Sequence, residues 1–345
     1  MLRNAKFSFS KILVTLGLLS AFLLSGCATE SPTWFAPAST NATLITNLAT
    51  AIFIIAGLVF VVVETLLVIS VVRFSRKKIA GEPNQIEGNT KFEIAWTAAP
   101  AIVLLIVFIL SLQTLQSVAY SPVPDPSGTP AGSAIHVRVV GHQWWWEFDY
   151  PELNITTADE LHVPVNTVVN FDLVSADVIH SFWAPQLAGK TDVIPGHTNH
   201  TWFKADQVGT FHGQCAEFCG EEHALMQFRV IVETTDQFQT WVSQQQAPMA
   251  AMTGDAAKGE QVFMNGACIG CHTVDGTKAQ GKVGPNLTHL ASRQYFAGDV
   301  FENNAATLKR WLSDPPAMKP GTVMPNLHLS QADIDALVAY LTSLK

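Results

Sequence analysis

The sequence predicts a multidomain membrane protein with a two-helix transmembrane hairpin, an antiparallel β-sandwich or barrel, and an all-α C-terminal domain. Two long apolar segments lie near the N-terminus, short runs of β-forming residues occupy the middle of the chain, and helical patterns follow. Of the 345 residues, 48% are hydrophobic and only 14% are charged. A chain with so few charges is too apolar for an ordinary soluble protein, so part of it is expected to lie in a membrane.

The N-terminus has the features of an export signal. Three basic residues precede an apolar run at 12–24, which is too short to be a convincing membrane span. The run ends in Leu-Ser-Gly-Cys, a pattern that resembles a bacterial lipobox. We therefore predict a signal peptide at 1–26 and a lipid on Cys27, the first residue of the mature chain. An uncleaved signal anchor with an incidental cysteine is the alternative.

Two longer apolar segments, 48–72 and 94–115, predict a transmembrane hairpin within residues 48–117. As a helix, the first segment would be about 37 Å long, enough to cross a hydrocarbon core of roughly 30 Å. Five Lys and Arg residues lie between the segments, whereas the N-terminal external segment 27–47 and residues 118–130 contain none. Because basic loops stay in the cytoplasm, we predict a two-pass protein of the bacterial inner membrane with its large domains on the outer face.

The middle of the chain predicts a β-domain at 135–242. A linker rich in Pro, Gly and Ser at 118–134 precedes it, and a polar linker at 243–254 separates it from a helical domain at 255–345. Five runs with strand character, separated by turn-forming residues, indicate an antiparallel sandwich or barrel. These runs are 135–140, 144–150, 167–174, 200–205 and 226–233.

Charge is distributed unevenly between these domains. Residues 118–247 contain 4 basic and 15 acidic residues, while residues 248–345 contain 8 of each. The strong negative charge of the β-domain argues against nucleic acid as its partner and favours a basic one.

The most specific motif is Cys268-Ile-Gly-Cys271-His272 in the helical domain. C-x-x-C-H is the attachment sequence of c-type haem, because the two thiols add to the vinyl groups and the histidine reaches the iron. A redox dithiol is the alternative, but an exported segment with a preceding helix favours haem. Met324, in a loop with Pro and Gly, is the predicted sixth ligand, and Met318 is its rival.

The helical domain resembles a class I cytochrome c. The resemblance includes the sequence Gly-Pro-Asn-Leu at 284–287, and in that family the proline carbonyl orients the proximal histidine. It implies that the carbonyl of Pro285 orients His272.

A second group of ligand-forming residues lies in the β-domain. It comprises His180, Cys215, Glu217, Cys219, His223 and Met226. The two cysteines could form a disulfide, the cysteines and histidines could bind structural zinc, and His180 could be an ordinary core residue. Two thiolates, two imidazoles and a thioether suit redox-active copper better than zinc. Two cysteines in one loop can bridge two copper ions, with weak ligands from Met226 and the backbone carbonyl of Glu217.

Taken together, the chain resembles subunit II of haem–copper cytochrome c oxidase with a fused C-terminal cytochrome c domain. The resemblance rests on the hairpin and on the sequences GHQWWWEFDY, DVIHSFWAPQL and GQCAEFCGEEHALMQF. It implies a cupredoxin-like β-domain in which the six residues named above bind the binuclear copper centre CuA. It also implies that electrons enter this domain at Trp144, for which sheet packing is the alternative.

The resemblance also implies roles for two carboxylates and a set of partners. Glu217 matches a ligand of a magnesium site, and Glu93 matches a carboxylate at the mouth of a proton pathway in subunit I; an exposed acid at the membrane boundary is the alternative for Glu93. The implied partners are subunits I and III and reduced cytochrome c or another donor. Glu64, inside the first span, has no assigned role.

The leading hypothesis is that electrons pass from a donor through haem c and CuA to the haem–copper centre of subunit I. There oxygen is reduced to water, coupled to proton translocation. A quinol-oxidase subunit II has the same fold but lacks the copper ligands, so the intact ligand set argues against it. The alternative is a membrane-anchored copper and haem electron carrier that is not part of an oxidase.

Overall fold

The computed structural model describes residues 32–74, 87–123 and 134–345. The predicted signal peptide 1–26, Cys27 and most of the linker 118–134 lie outside the described residues. Within them, the predicted architecture of two apolar helices, a β-sandwich and a helical C-terminal domain is confirmed.

The two apolar helices are α1, Thr40–Phe74, and α2, Thr90–Ala119. The most apolar windows of the two helices have mean hydropathies of 3.0 and 2.4, and none of the residues in these windows is buried within the protein. The helices contact each other, and the side chain of Asn89 caps α2 by accepting hydrogen bonds from two backbone amides. Helices of this length that are apolar on all sides suit a lipid environment.

Trp202 of the β-domain contacts the start of α1 and the end of α2. The backbone carbonyl of Trp202 accepts a hydrogen bond from Nδ2 of Asn41, at 3.2 Å. The indole Nε1 of Trp202 donates to the carbonyl of Val118, at 2.9 Å. The β-domain is therefore attached directly to the ends of both membrane helices.

Ten strands form the β-domain as two five-stranded sheets. The first sheet has the order β3-β2-β1-β5-β8, and the second has the order β4-β10-β9-β6-β7. The strands are β1 Ala134–His142, β2 Trp145–Tyr150, β3 Ile155–Ala158, β4 Glu160–Pro164, β5 Val168–Ser175, β6 His180–Trp183, β7 Thr191–Val193, β8 Asn199–Lys204, β9 Gly209–Cys215 and β10 Gln227–Glu233. Most neighbours are antiparallel, but β1 with β5 and β4 with β10 are parallel pairs.

An aromatic core fills the space between the two sheets. Trp146, Phe148 and Tyr150 alternate along β2 and are fully buried, as expected for one face of a strand. Phe182 stacks on Phe228 with ring centroids 4.6 Å apart. The ring of Trp146 also meets the edge of His180, so the core supports one of the predicted metal ligands.

The remaining helices follow the sandwich. They are α3 Thr235–Gln245, α4 Gly254–Asn265, α5 Ala305–Ser313, α6 Pro315–Met318 and α7 Gln331–Leu341, with the short strands β11 Tyr295–Phe296 and β12 Phe301–Glu302 before α5. Helices α4 and α7 cross closely at Gly259, where a Cβ atom would lie 1.9 Å from the carbonyl oxygen of Ala336. Ser330 caps the N-terminus of α7, since its side chain accepts a hydrogen bond from the amide of Asp333.

Candidate metal centres

The six predicted copper ligands converge at one end of the β-sandwich. His180 begins β6, Cys215 ends β9, and the other four lie in the loop that leads to β10. The Sγ atoms of Cys215 and Cys219 are 3.7 Å apart. From Cys215 Sγ, the carbonyl oxygen of Glu217 is 3.2 Å away and His180 Nδ1 is 3.9 Å away. From Cys219 Sγ, the distances are 3.6 Å to His223 Nδ1 and 3.8 Å to Met226 Sδ.

The chemistry of this donor set fits copper. Each thiol sulfur lies beside one imidazole Nδ1, both cysteines are free, and the cysteines, His180 and Met226 are buried. Hydrogen bonding between the thiols lowers the pKa of Cys215 and raises that of Cys219. The metal-free pair therefore tends to keep one proton, which metal binding would displace. Soft sulfur and imidazole donors around a buried site are typical ligands of redox-active copper.

Asp177 fixes the orientation of the His180 ring. Its Oδ1 atom lies 2.8 Å from His180 Nε2, so the opposite ring nitrogen faces the thiols. Asp177 also accepts a hydrogen bond from the amide of Gln143, at 2.7 Å. This residue was not predicted from the sequence, although its spacing of three residues before the histidine was visible.

Trp144 contacts the loop at 216–226 between β9 and β10, which we call the copper loop. It lies in the turn between β1 and β2, one residue before the strand, whereas the predicted run began at residue 144. Its indole Nε1 donates to the carbonyl oxygen of Cys219, at 3.0 Å. Gly220 has a φ of +118°, and a Cβ atom there would lie 2.9 Å from the indole ring. A glycine is therefore needed for the indole to approach the loop.

In the helical domain, the C-x-x-C-H motif occupies a 3₁₀ turn and the residues after it. The Nδ1 atom of His272 lies 2.9 Å from the carbonyl oxygen of Pro285, which leaves Nε2 free for a metal. Burial lowers the pKa of His272 and so favours the neutral ring that iron requires. A Cβ atom at Gly284 would lie 2.5 Å from Cε1 of the imidazole, so glycine is required beside the ring.

An apolar cavity beside this motif fits a haem group. Its lining includes Cys268, Cys271, His272 and Met324. Met318 is not part of this lining, although both methionines pack against the core of the helical domain. The Sδ atom of Met324 accepts a hydrogen bond from Nε1 of Trp311, at 3.1 Å. Trp144, from the β-domain, also lines this cavity.

Arg293 is a further residue of this cavity that sequence reasoning missed. It is 7% exposed and lines the cavity, and its Nη2 donates to the carbonyl of Asn286 at 2.6 Å. Its Nε has no partner among the described residues. A buried cation at this position suits the carboxylates that a haem carries.

The two domains are joined by buried polar contacts, which the sequence also did not predict. Glu160 accepts hydrogen bonds from the amide nitrogens of Gln294 and Tyr295, at 2.6 and 3.2 Å. Arg229 pairs with Asp299, with Nε and Oδ1 2.5 Å apart. Further contacts include Asp159 with the amide of Gly298 at 2.9 Å, Arg229 over the ring of Tyr295 at 3.5 Å, and Lys319 with Glu222 at 3.1 Å.

The other predicted site residues lie apart from these centres. Glu93 is exposed in the first turn of α2, where an acid also interacts favourably with the helix dipole. The carboxylate of Glu217 is 45% exposed and lies 4.0 Å from Nζ of Lys190. Glu64 is exposed on α1.

Protein-family models match three parts of the chain. The model for the transmembrane domain of cytochrome c oxidase subunit II matches residues 30–114, and the model for its periplasmic domain matches residues 152–235. The cytochrome c model matches residues 256–345. The periplasmic match includes all six of the predicted copper ligands.

Individual relatives match over most of the chain. Cytochrome c oxidase subunit 2 of Alkalihalophilus pseudofirmus is 39% identical over 96% of this chain and 96% of that protein. The subunit 2 of Bacillus subtilis is 36% identical over 96% of this chain and 97% of that protein. Quinol oxidase subunit 2 of Bacillus subtilis is 35% identical, but over 69% of this chain and 74% of that protein.

Proposed function

Because this chain belongs to the cytochrome c oxidase subunit II family and carries a C-terminal cytochrome c domain, we propose that it is the subunit through which electrons enter a respiratory oxidase. Electrons pass from a donor through haem c and CuA to the haem–copper centre of subunit I, where oxygen is reduced to water and protons are translocated. A bound haem c and a bound copper pair each supply one-electron redox chemistry.

One observation carries this proposal: Trp144 belongs to both sites. This residue lines the cavity beside the C-x-x-C-H motif, and its indole Nε1 donates to the carbonyl of the copper-loop residue Cys219. A single residue thus connects the two places where redox groups would bind. This arrangement supports a path for electrons between them, and Trp144 is the residue through which electrons enter the copper domain.

We assign the ligands from the convergent side chains. CuA would be held by His180, Cys215, Cys219, His223, Met226 and the carbonyl oxygen of Glu217. Haem c would be attached through the thiols of Cys268 and Cys271, and His272 and Met324 would be the protein ligands of its iron. Cavity lining favours Met324 over Met318 as the sixth ligand.

The membrane hairpin and the exposed residues near the copper loop fit contacts with partner subunits. Phe218 is 76% exposed beside the copper ligands, where a large apolar side chain suits an interface with subunit I. Glu217 would share a magnesium ion there, and Glu93 would lie at the mouth of the proton pathway. Subunit III and an external cytochrome c complete the partners, with both redox domains on the outer face of the bacterial inner membrane.

The similarity to quinol oxidase subunit 2 of Bacillus subtilis suggests a second function to test, that of a quinol oxidase subunit. The complete sulfur and imidazole cluster and the C-x-x-C-H motif favour a cytochrome c oxidase over that role. A copper and haem carrier outside an oxidase remains the other alternative.

Purification of the native complex distinguishes these functions. We expect the chain to co-purify with a haem-containing partner that consumes oxygen when supplied with reduced cytochrome c. A preparation that contains only copper and haem c, without oxygen consumption, would support the carrier and contradict the proposal. Oxidation of quinol but not of cytochrome c would support the quinol oxidase.

A further inference from the structure

Lys319 is buried at the contact between the β-domain and the helical domain. It follows α6 and begins the loop that contains Met324. Its Nζ lies 3.1 Å from the carboxylate of Glu222, and these side chains are 3% and 1% exposed. Its Nζ also donates to the backbone carbonyl of Trp144, at 3.2 Å. Lysine is almost never buried without such partners, so this position requires an explanation.

We propose that Lys319 is a positioning residue, which fixes the helical domain on the Trp144 turn and thereby sets the distance between the haem and copper sites. The inference rests on the proposed function, since it concerns transfer between these two sites. One ammonium group would then hold two parts of the β-domain that line the haem cavity, the turn of Trp144 and the loop of Glu222.

Both partners of Lys319 are joined to the copper cluster. Glu222 immediately precedes His223, and Trp144 donates a hydrogen bond to the carbonyl of Cys219. The loop of Met324 is thereby linked through one side chain to two parts of the copper loop. A shift of Lys319 would change the separation of the two sites.

The contact depends on charge compensation. Among the described residues, Oε1 of Glu222 has no hydrogen-bond partner, and the pairing with Lys319 is made through Oε2. Removal of the ammonium would leave a buried carboxylate without a counter-charge, which strongly destabilises such a contact. Because the helical domain has as many acidic as basic residues, its net charge cannot substitute for this pair.

Hydrogen exchange measures the docking without any redox activity. The amides of Gln294, Tyr295 and Gly298 donate to carboxylates of the β-domain, so their protection reports whether the domains are in contact. In the full-length protein within its complex, Lys319→Met should accelerate their exchange by at least about tenfold, because exchange follows the opening equilibrium.

Lys309→Met is the matched control. It removes the same charge from the same domain, but Lys309 pairs with Asp335 at the surface, where the side chains are 46% and 53% exposed. Amide exchange in Lys309→Met should equal that of the wild type. Lys319→Met combined with Glu222→Met should recover most of the protection, since the Glu222 carboxylate is then removed together with its counter-charge. A residue that acted only by packing would not be rescued in this way.

A second readout is the rate of electron transfer from haem to copper after photoreduction. In the wild type we expect a rate independent of solvent viscosity, whereas in Lys319→Met the rate should fall and depend on viscosity, because tethered domains must then meet by diffusion.

Unchanged amide exchange in Lys319→Met would overturn the proposal. Loss of the copper signal in this variant would also overturn it, because Lys319 would then support the copper loop itself. If Lys319→Met does not assemble, fast exchange in the double variant overturns it. No transfer in the wild type would instead overturn the proposed function.

Discussion

At the scale of single residues, the copper cluster is built from paired donors. Each thiol lies within 4 Å of one imidazole Nδ1, and Met226 and the Glu217 carbonyl lie beside different cysteines. Replacement of one sulfur would therefore remove a donor on which binding of the copper pair would depend. The C-x-x-C-H motif lies in another domain, so it should not respond.

Cys219→Ser should abolish the mixed-valence copper signal and leave the c-type haem spectrum intact. Electron paramagnetic resonance and optical spectra of the purified complex measure the two centres separately. Cys268→Ser is the reciprocal control, which should disturb haem attachment and spare copper. Loss of both cofactors in Cys219→Ser would contradict two separate sites.

The two methionines of the helical domain can be distinguished by reduction potential. Met324→Ala should lower the haem potential by on the order of 0.1 V, because thioether ligation favours ferrous iron and axial ligands set the potential over about 0.8 V. Met318→Ala should leave it nearly unchanged, since Met318 does not line the cavity. Redox titration checks both variants, and the opposite ranking would assign the sixth ligand to Met318.

At the scale of secondary-structure elements, β4, β10 and α3 meet around His162. The ring stacks on Trp241 with centroids 4.4 Å apart, and Nδ1 lies 3.1 Å from a carboxylate oxygen of Glu233. Burial alone would lower the pKa of His162, but hydrogen bonds to Glu160 and Glu233 raise it overall. The ring thus joins the two strands to the helix.

The stability of the β-domain should therefore fall as pH rises through the raised pKa of His162. An unfolded histidine has a pKa near 6.5, so the stabilisation is complete below that value and is lost above it. Thermal unfolding between about pH 6 and 9 measures this. His162→Gln should flatten the dependence, whereas His200→Gln, which removes a histidine that is 72% exposed, should not. A wild-type midpoint that rises over this range would contradict the assignment.

Elements with a strong local pattern could be predicted from the sequence. The apolar helices, the strands of long alternation such as β2 and β10, and the capped helix α7 all follow from residues close together in the chain. Strands β3, β4, β6, β7 and β9 were missed; β7, for example, has only three residues. The parallel pairs were also missed, because they depend on how distant strands meet.

The same distinction holds for the sites. The cluster from Cys215 to Met226 and the C-x-x-C-H motif are local sequences with known chemistry, so their residues could be named. Arg229 and Asp299 are 70 residues apart, and Lys319 meets Glu222 only when two domains are docked. Such contacts between ordinary charged residues leave no local pattern in the sequence.

At the scale of the whole molecule, two spans and a lipid would both attach the chain to the membrane. Cys27→Ser should prevent lipidation but leave the protein in the membrane fraction, because two spanning helices hold far more strongly than one acyl chain. Metabolic labelling with a fatty acid and membrane fractionation test this. A soluble variant would contradict the predicted topology.

The helical domain is neutral by charge count and the β-domain is acidic, so net charge would not attract one to the other. On that basis alone, only the linker would keep the two domains together. The structure adds buried contacts, among them Glu160 with two backbone amides and Lys319 with Glu222. Buried pairs are screened by salt much less than exposed charges. Internal transfer should then be insensitive to ionic strength, whereas delivery from an external basic donor to the acidic protein should slow as salt is added.

Flash-initiated reduction of haem c, followed by the optical signal of copper in the intact complex, tests the central claim most directly. We predict that copper becomes reduced as haem c is reoxidised, with a first-order rate that does not depend on protein concentration and changes little with ionic strength. Haem reoxidation without copper reduction would contradict the account, and so would a rate that rises with protein concentration or falls steeply with salt.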